Sequence, residues 1–145
     1  MSKLLYIILL SSLLISQTIK GGVISDGLDL ADIKIAKHQE YTRVVFSTNF
    51  WEGHSKANIP ADNSGSYKFV LSDDKMSIDV ELSGYRSATV KNIVLVDSIK
   101  SIKALKGEEY ADDSSIFYRI DLSKKASKID VFTLTNPARI VLDIY

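Results

Sequence analysis

The sequence predicts an all-β fold: a sandwich of two pseudo-symmetric four-stranded sheets, built from an internal duplication and preceded by a signal-peptide helix. Three observations predict this fold. Apolar residues recur with a period of two from residue 33 onward, two segments have the pattern of a β-hairpin, and the order of strand patterns occurs twice along the chain. With 145 residues, of which 46% are hydrophobic, the chain has the size of one domain with a packed core.

The N-terminal segment has the composition of an export signal. Lys3 is followed by residues 4–15, which are apolar apart from two serines. A membrane-spanning helix needs about 20 apolar residues, so this segment is short for a span. We therefore expect a signal peptide over residues 1–18, or else an uncleaved N-terminal anchor, with a buried helix as the third alternative. Residues 19–32 are expected to form a short linker.

The remainder reads as two copies of one four-strand unit. Residues 33–41 and residues 102–110 are identical at five of nine positions, and similar strand and hairpin patterns follow both in the same order. Collinear matches of this kind favour a duplication. We expect copy one over 33–82, a connection over 83–101 that includes a possible strand at 88–96, and copy two over 102–145. Each copy is expected to form one sheet. The expected strands are 33–36, 43–47, 67–71 and 77–82 in copy one, and 102–105, 116–122, 129–134 and 139–144 in copy two.

The hairpins are the clearest local prediction. Residues 77–82 alternate strictly between polar and apolar side chains, which is typical of a strand with one wet face. They follow residues 67–71 across the polar segment 72–75, which favours a turn. Residues 129–144 repeat this arrangement, with Pro137 in the turn.

Two of these segments resemble a known family. The Arg-Val-Val-Phe strand at 43–46 and the closing run Asn-Pro-Ala-Arg-Ile-Val-Leu-Asp at 136–143 resemble the AMIN domain, over about residues 33–145. The resemblance implies a symmetric pair of four-stranded sheets and an activity of binding rather than catalysis. In that family the domain localises periplasmic proteins, including cell-wall amidases and pilus secretins, through peptidoglycan. The first copy has the turn 73–76 in place of a second Asn-Pro-x-Arg motif, so a surface that depends on that arginine exists once, near Arg139.

The candidate ligand-binding residues follow from the strand pattern. If Val44 and Ile120 face the core, Arg43 and Arg119 occupy equivalent places on exposed sheet faces. A guanidinium fork can bind peptide carboxylates of peptidoglycan, and aromatic rings can stack on its sugars. The alternatives are that each arginine pairs with a carboxylate on a neighbouring strand, that the tyrosines cap a core edge, and that the single tryptophan is buried over the end of the sandwich. The candidates are Arg43, Arg119, Arg139, Tyr41, Tyr110 and Trp51.

Other classes of function find little support. Lys+Arg 18 balances Asp+Glu 18, so there is no broad positive field for nucleic acid. The absence of cysteine rules out a thiolate nucleophile and a disulfide. Glu52 and His54 lack further metal ligands at a recognisable spacing, and the adjacent acidic pairs do not form a catalytic dyad. We expect no catalytic residue, no metal and no cofactor.

The sequence therefore predicts an exported, non-catalytic module of the periplasm that binds peptidoglycan. An uncleaved signal would tether it to the inner membrane, which is the only membrane contact expected. The alternative is a protein adaptor that docks on a periplasmic or outer-membrane complex, such as a secretin or an amidase, by an exposed strand edge or an apolar patch. A hydrolase is the weakest of the three hypotheses, because no motif for it is present.

Overall fold

The computed structural model describes residues 16–51, 59–110 and 114–145. These residues form ten strands and one 3₁₀ turn. Their bounds are β1 Gln17–Gly22, β2 Leu28–Lys37, β3 Thr42–Phe50, β4 Ser66–Leu71, β5 Ser77–Ser83, β6 Tyr85–Ala88, β7 Ile99–Ala104, the 3₁₀ turn Glu108–Tyr110, β8 Ser115–Leu122, β9 Ile129–Leu134 and β10 Arg139–Ile144.

The strands form two five-stranded sheets. Sheet A has the order β1-β4-β5-β8-β7, and sheet B has the order β6-β2-β3-β10-β9. Neighbouring strands are antiparallel, except for β6, which runs parallel to β2. The prediction of an all-β fold with two sheets is confirmed, and the expected count of four strands per sheet is wrong.

The two four-strand units exchange halves between the sheets. Sheet B combines β2 and β3 from copy one with β10 and β9 from copy two, and sheet A combines β7 and β8 from copy two with β5 and β4 from copy one. The four strands thus follow the same order in both sheets: first, second, then fourth and third of the other copy. The expectation that each copy forms its own sheet is wrong, because the chain crosses between sheets after the second strand of each copy.

The fifth strand of each sheet lies where none was expected. β1 extends sheet A beside β4, and β2 begins at Leu28, so the expected linker over 19–32 contains strand in both its first and its last part. The start of β2 was not predicted, because a bulge between Leu30 and Asp32 interrupts the alternation of apolar and polar residues. The connection over 83–101 contains β6 and the start of β7, and the strand considered at 88–96 is absent beyond Ala88.

The N-terminal prediction is only partly within the described residues. Residues 1–15 lie outside them, whereas Gln17 and Thr18, the end of the expected signal peptide, belong to β1. Cleavage after Thr18 would remove two paired residues from that strand. The Gln17 side chain also donates to the carbonyl of Ile129 at 2.9 Å and accepts from its N–H at 2.8 Å, which joins the edges of the two sheets. Within the described residues, no helix is long and apolar enough to cross a membrane.

The core lies between the inner faces of the two sheets. Phe46 of sheet B and Phe69 of sheet A are both fully buried, and their rings meet edge to face with centroids 5.8 Å apart. Tyr85 lies where the chain passes from β5 in sheet A to β6 in sheet B. Its hydroxyl donates to the carbonyl of Ser64 and shares a second hydrogen bond with Thr48, both at 2.7 Å. Burial raises the pKa of Tyr85 to about 12.

Candidate functional site

Both arginines predicted from the strand pattern lie on outer sheet faces. Val44 and Phe46 are fully buried beside Arg43, and Tyr118 and Ile120 are buried beside Arg119. Since side chains alternate between faces, the guanidinium groups project away from the core. The prediction of their orientation is confirmed.

Each arginine forms a two-bond ion pair with an aspartate directly opposite on the next strand. Arg43 on β3 faces Asp143 on β10, with bonds from Nε and Nη2 of 2.8 and 2.9 Å. Arg119 on β8 faces Asp79 on β5, with the corresponding bonds at 2.8 and 3.3 Å. Both pairs join the second strand of one copy to the fourth strand of the other, so they occupy equivalent positions. The alternative of cross-strand pairing is therefore what the structure contains.

The pair in sheet B is enclosed by rings. The Arg43 guanidinium carbon lies 5.4 Å from the ring centroids of both Tyr41 and Phe132, and Tyr41 lies 5.4 Å from the ring of Tyr145. We call these four residues and Asp143 the Arg43 cluster. The Asp143 side chain is only 6% exposed, against 31% for Arg43. The bond to Asp143 raises the pKa of Arg43. The cluster is therefore a structural contact in which a buried carboxylate is covered by a partly exposed guanidinium group and rings.

The pair in sheet A lies beside an open groove. The groove has a volume of about 240 Å³, and the rings of Tyr110 and Phe117 lie 5.3 Å apart along it. The Arg119 and Asp79 side chains are 42% and 51% exposed. We call this feature the sheet A groove. Its lining residues are Lys68, Val70, Asp79, Val80, Glu81, Leu105, Tyr110 and Phe117.

Local structure brings these side chains together. Cross-strand register places Glu81 opposite both Phe117 and Lys68, so carboxylate, ring and ammonium share one row across the outer face. Beyond β7, the N–H of Leu105 donates to the carbonyl of Phe117 at 2.8 Å. The 3₁₀ turn then carries Tyr110 back over the sheet. The result combines an apolar wall with acidic and basic groups that are accessible to solvent.

Trp51 and Arg139 lie apart from these two sites. Trp51 follows β3 and is 42% exposed, so the alternative that it is buried is wrong. Eight residues of extended chain separate it from Arg43, about 26 Å. Arg139 lies on the outer face of sheet B, where its Nε donates to the carbonyl of Pro137 at 3.0 Å, within its own turn. The candidate residues are thus divided among four places.

Sequence reasoning missed several members of these sites. Phe132 covers Arg43 from β9, and Lys68 and Glu81 line the groove from β4 and β5. Side-chain alternation along each strand could have placed these residues on the outer faces. Which residues they contact there depends on which strands pair, and alternation does not reveal that. Tyr110 was found because it aligns with Tyr41 in the repeat.

In the segments 16–51, 59–110 and 114–145, no group of three His, Asp or Glu side chains is placed to hold a metal ion. Glu52 and His54 lie outside the described residues, as do Asp112 and Asp113.

Comparisons with known proteins return no match: no family model fits the chain, and no curated protein or solved structure matches it.

Proposed function

We propose that this chain is an exported, non-catalytic module that binds peptidoglycan through the sheet A groove. The observation that carries the proposal is the groove itself: a ring pair, Tyr110 and Phe117, beside the carboxylates of Asp79 and Glu81 and the ammonium group of Lys68. Mostly apolar concave sites with a few polar groups are typical of ligand binding.

The groove offers a complementary group for each part of a wall fragment. The apolar face of a sugar ring can stack on Tyr110 and Phe117, while Glu81 accepts hydrogen bonds from sugar hydroxyls. Lys68 and Arg119 can bind the carboxylates of stem peptides. Arg119 is available for exchange because its present ion pair with Asp79 is exposed, and exposed pairs contribute about 1 kcal/mol or less.

Two features of the sequence support the location in the periplasm. The apolar segment 4–15 after Lys3 has the pattern of an export signal, and the strands at 43–46 and 136–143 resemble the AMIN domain. The module is then either released into the periplasm or held at the inner membrane by an uncleaved signal. No cofactor and no nucleic acid enter this proposal.

The test is co-sedimentation of the full chain, purified from the envelope of expressing cells, with isolated peptidoglycan sacculi. Wild type should sediment and be released by salt, because ionic contacts are screened. Tyr110→Ala should weaken binding about fivefold to tenfold, as expected for about 1 to 1.4 kcal/mol of lost ring contact. Tyr41→Ala, at the equivalent position of the other copy, is the matched control and should bind as wild type. No sedimentation, or equal losses in the two variants, would count against the proposal.

A second function is supported by a different feature. Val94 and Leu95 project from the connection between β6 and β7 and are 79% and 43% exposed. Exposed apolar side chains of this kind suit an adaptor that docks on a secretin or an amidase. In that case a pull-down from envelope extract should recover one partner, Val94→Asp should abolish its recovery, and sacculi should be ignored.

A further inference from the structure

The four edge strands of the two sheets are protected to different degrees. Exposed edges invite pairing with another chain, and lysine, bulges and short length discourage it. β7 carries Lys100 and Lys103 and a bulge near its start, β1 carries Lys20 and ends in two glycines, and β6 has only four residues, including Arg86. β9, with the sequence IDVFTL, has six residues in uninterrupted register with β10 and no lysine, proline or bulge. β9 is the edge most open to pairing.

One residue of this edge already binds an amide group. The N–H and C=O of Ile129 both bond to the side-chain amide of Gln17, so they point outward from sheet B. Because hydrogen-bonding direction alternates along an antiparallel strand, the N–H and C=O groups of Val131 and Thr133 point outward as well. Within the part of the chain that the structure describes, none of the hydrogen bonds found involves these outward groups.

We propose that a second copy of this chain pairs its β9 with this edge, antiparallel and centred on Phe132. In this register, Val131 lies opposite Thr133 of the second copy, and Thr133 lies opposite its Val131. The four outward N–H groups of Val131 and Thr133 then donate to the four outward carbonyls of the same residues. In the uncleaved chain, Gln17 fixes the register, because it occupies the edge at Ile129 in both copies. The arrangement is two-fold symmetric, as expected for a homodimer.

The side chains agree with this register. Phe132 meets its counterpart at the two-fold axis, in a position where Cα atoms of opposed residues lie about 4.5 Å apart. Asp130 lies opposite Leu134, so no like charges face each other across the seam. Phe132 and Leu134 are 37% and 39% exposed in the single chain, and pairing covers both.

The dimer leaves the other sheet free. Pairing through β9 joins two copies of sheet B into one ten-stranded sheet, while the sheet A groove stays on a separate outer face in each copy. A dimer then presents two grooves, and a polymeric ligand could engage both with higher avidity than one.

Disulfide trapping tests the contact directly, because the chain has no cysteine. Phe132→Cys places one thiol from each copy at the two-fold axis, within the geometric range of a disulfide. Mild oxidation of envelopes that contain the variant should give a band at twice the mass of the reduced protein on a non-reducing gel. Lys103→Cys, on the protected edge β7, is the matched control and should stay monomeric. Equal trapping of the two variants, or none of Phe132→Cys, would overturn the proposal.

The second measurement is the oligomeric state of the purified full chain, determined by analytical ultracentrifugation. Wild type and Thr133→Ala should be dimers, whereas Thr133→Pro should be a monomer, because proline removes an outward N–H without breaking the bonds between β9 and β10. Circular dichroism checks that Thr133→Pro is folded. Phe132→Lys should also give a monomer, because it sets two like charges at the two-fold axis. A dimeric Phe132→Lys, or a monomeric wild type that instead binds an extended peptide at β9, would contradict the pairing of two copies.

Discussion

The two Arg–Asp pairs of the sandwich have the same covalent groups and the same cross-strand geometry, yet their surroundings differ. The Asp143 side chain is 6% exposed beneath the rings around Arg43, while the Asp79 side chain is 51% exposed beside the sheet A groove. The Arg43–Asp143 pair is enclosed, so removal of Arg43 would leave the Asp143 carboxylate without a partner among aromatic rings. The other is solvated and able to change partners. Under the proposed function, equivalent positions of the two sheets serve stability in one sheet and binding in the other.

The difference arises from the neighbouring strands rather than from the pairs. On the side of Arg43, β9 contributes Phe132, the position before β3 contributes Tyr41, and the position after β10 contributes Tyr145. On the side of Arg119, the adjacent strands contribute Val70 and Lys103 in the same row. The matching row of sheet B holds Ala36 and Asp130. The rings around Arg43, rather than the row, therefore make its pair the more enclosed of the two.

The largest effect is expected for Arg43→Ala, which should lower the free energy of unfolding by about 2 to 3 kcal/mol. Removal of one partner of a mostly buried pair leaves the other charge without compensation. Urea denaturation measures the change. The double variant Arg43→Ala/Asp143→Ala should recover part of the loss, and a cost below about 1 kcal/mol for the single variant would mean that the two pairs are equivalent after all.

Tyr85 belongs to neither Arg–Asp pair, so the pH dependence of stability that it causes serves as a control for both. Its pKa is raised to about 12 in the folded protein, from 10.0. The unfolded chain therefore loses its tyrosine proton first as pH rises, so this contribution to stability is complete below pH 10 and falls between pH 10 and 12. Wild type should lose about 2 kcal/mol more than Tyr85→Phe by pH 12.

The part of the alkaline loss that Tyr85→Phe removes should be the same when the substitution is made in wild type, in Arg43→Ala and in Arg119→Ala, measured by urea denaturation at each pH. If either arginine variant changed it, the effect of that arginine would extend beyond its own pair, and the contrast between the two pairs would not be local.

Arg119→Ala should cost less than about 1 kcal/mol in the same urea experiment, because both partners are in contact with water. Its effect should appear in binding to sacculi instead. A stability loss as large as that of Arg43→Ala would show that exposure does not separate the pairs.

Arg139→Ala should have the smallest effect, within about 0.5 kcal/mol of wild type, as for most surface substitutions. Its bond to the carbonyl of Pro137 is confined to one turn. Reduced binding to sacculi in this variant would move the proposed site from sheet A toward sheet B.

The sequence correctly predicted features that depend on a single strand, namely which side chains face the core and which face solvent. Alternation alone placed Arg43 and Arg119 outside and Ile78, Val80 and Leu82 inside. It could not reveal which strands become neighbours, because the period of a strand is the same whichever strand it pairs with. The exchange of halves between sheets depends on that choice, and so do the Phe132 contact with Arg43 and the composition of the groove.

Short or irregular strands were missed for a related reason. β1 contains only one large apolar residue, Ile19, and two glycines, so it gains its order from pairing with β4 and from the Gln17 bonds. β6 is held to β2 by the buried Asp29, which accepts hydrogen bonds from Ser87 and Thr89 at 2.7 Å. Such polar contacts over long sequence distances leave no periodic signal.

Under the proposed function, wall material binds sheet A and leaves the Arg43 cluster unoccupied. Mapping of backbone amide chemical shifts during titration with soluble peptidoglycan fragments tests this most directly, residue by residue. We expect shifts along β5 and β8 and in residues 105–110, with little change along β3 and β10. Shifts concentrated on β3, β9 and β10, with β5 and β8 unchanged, would contradict it.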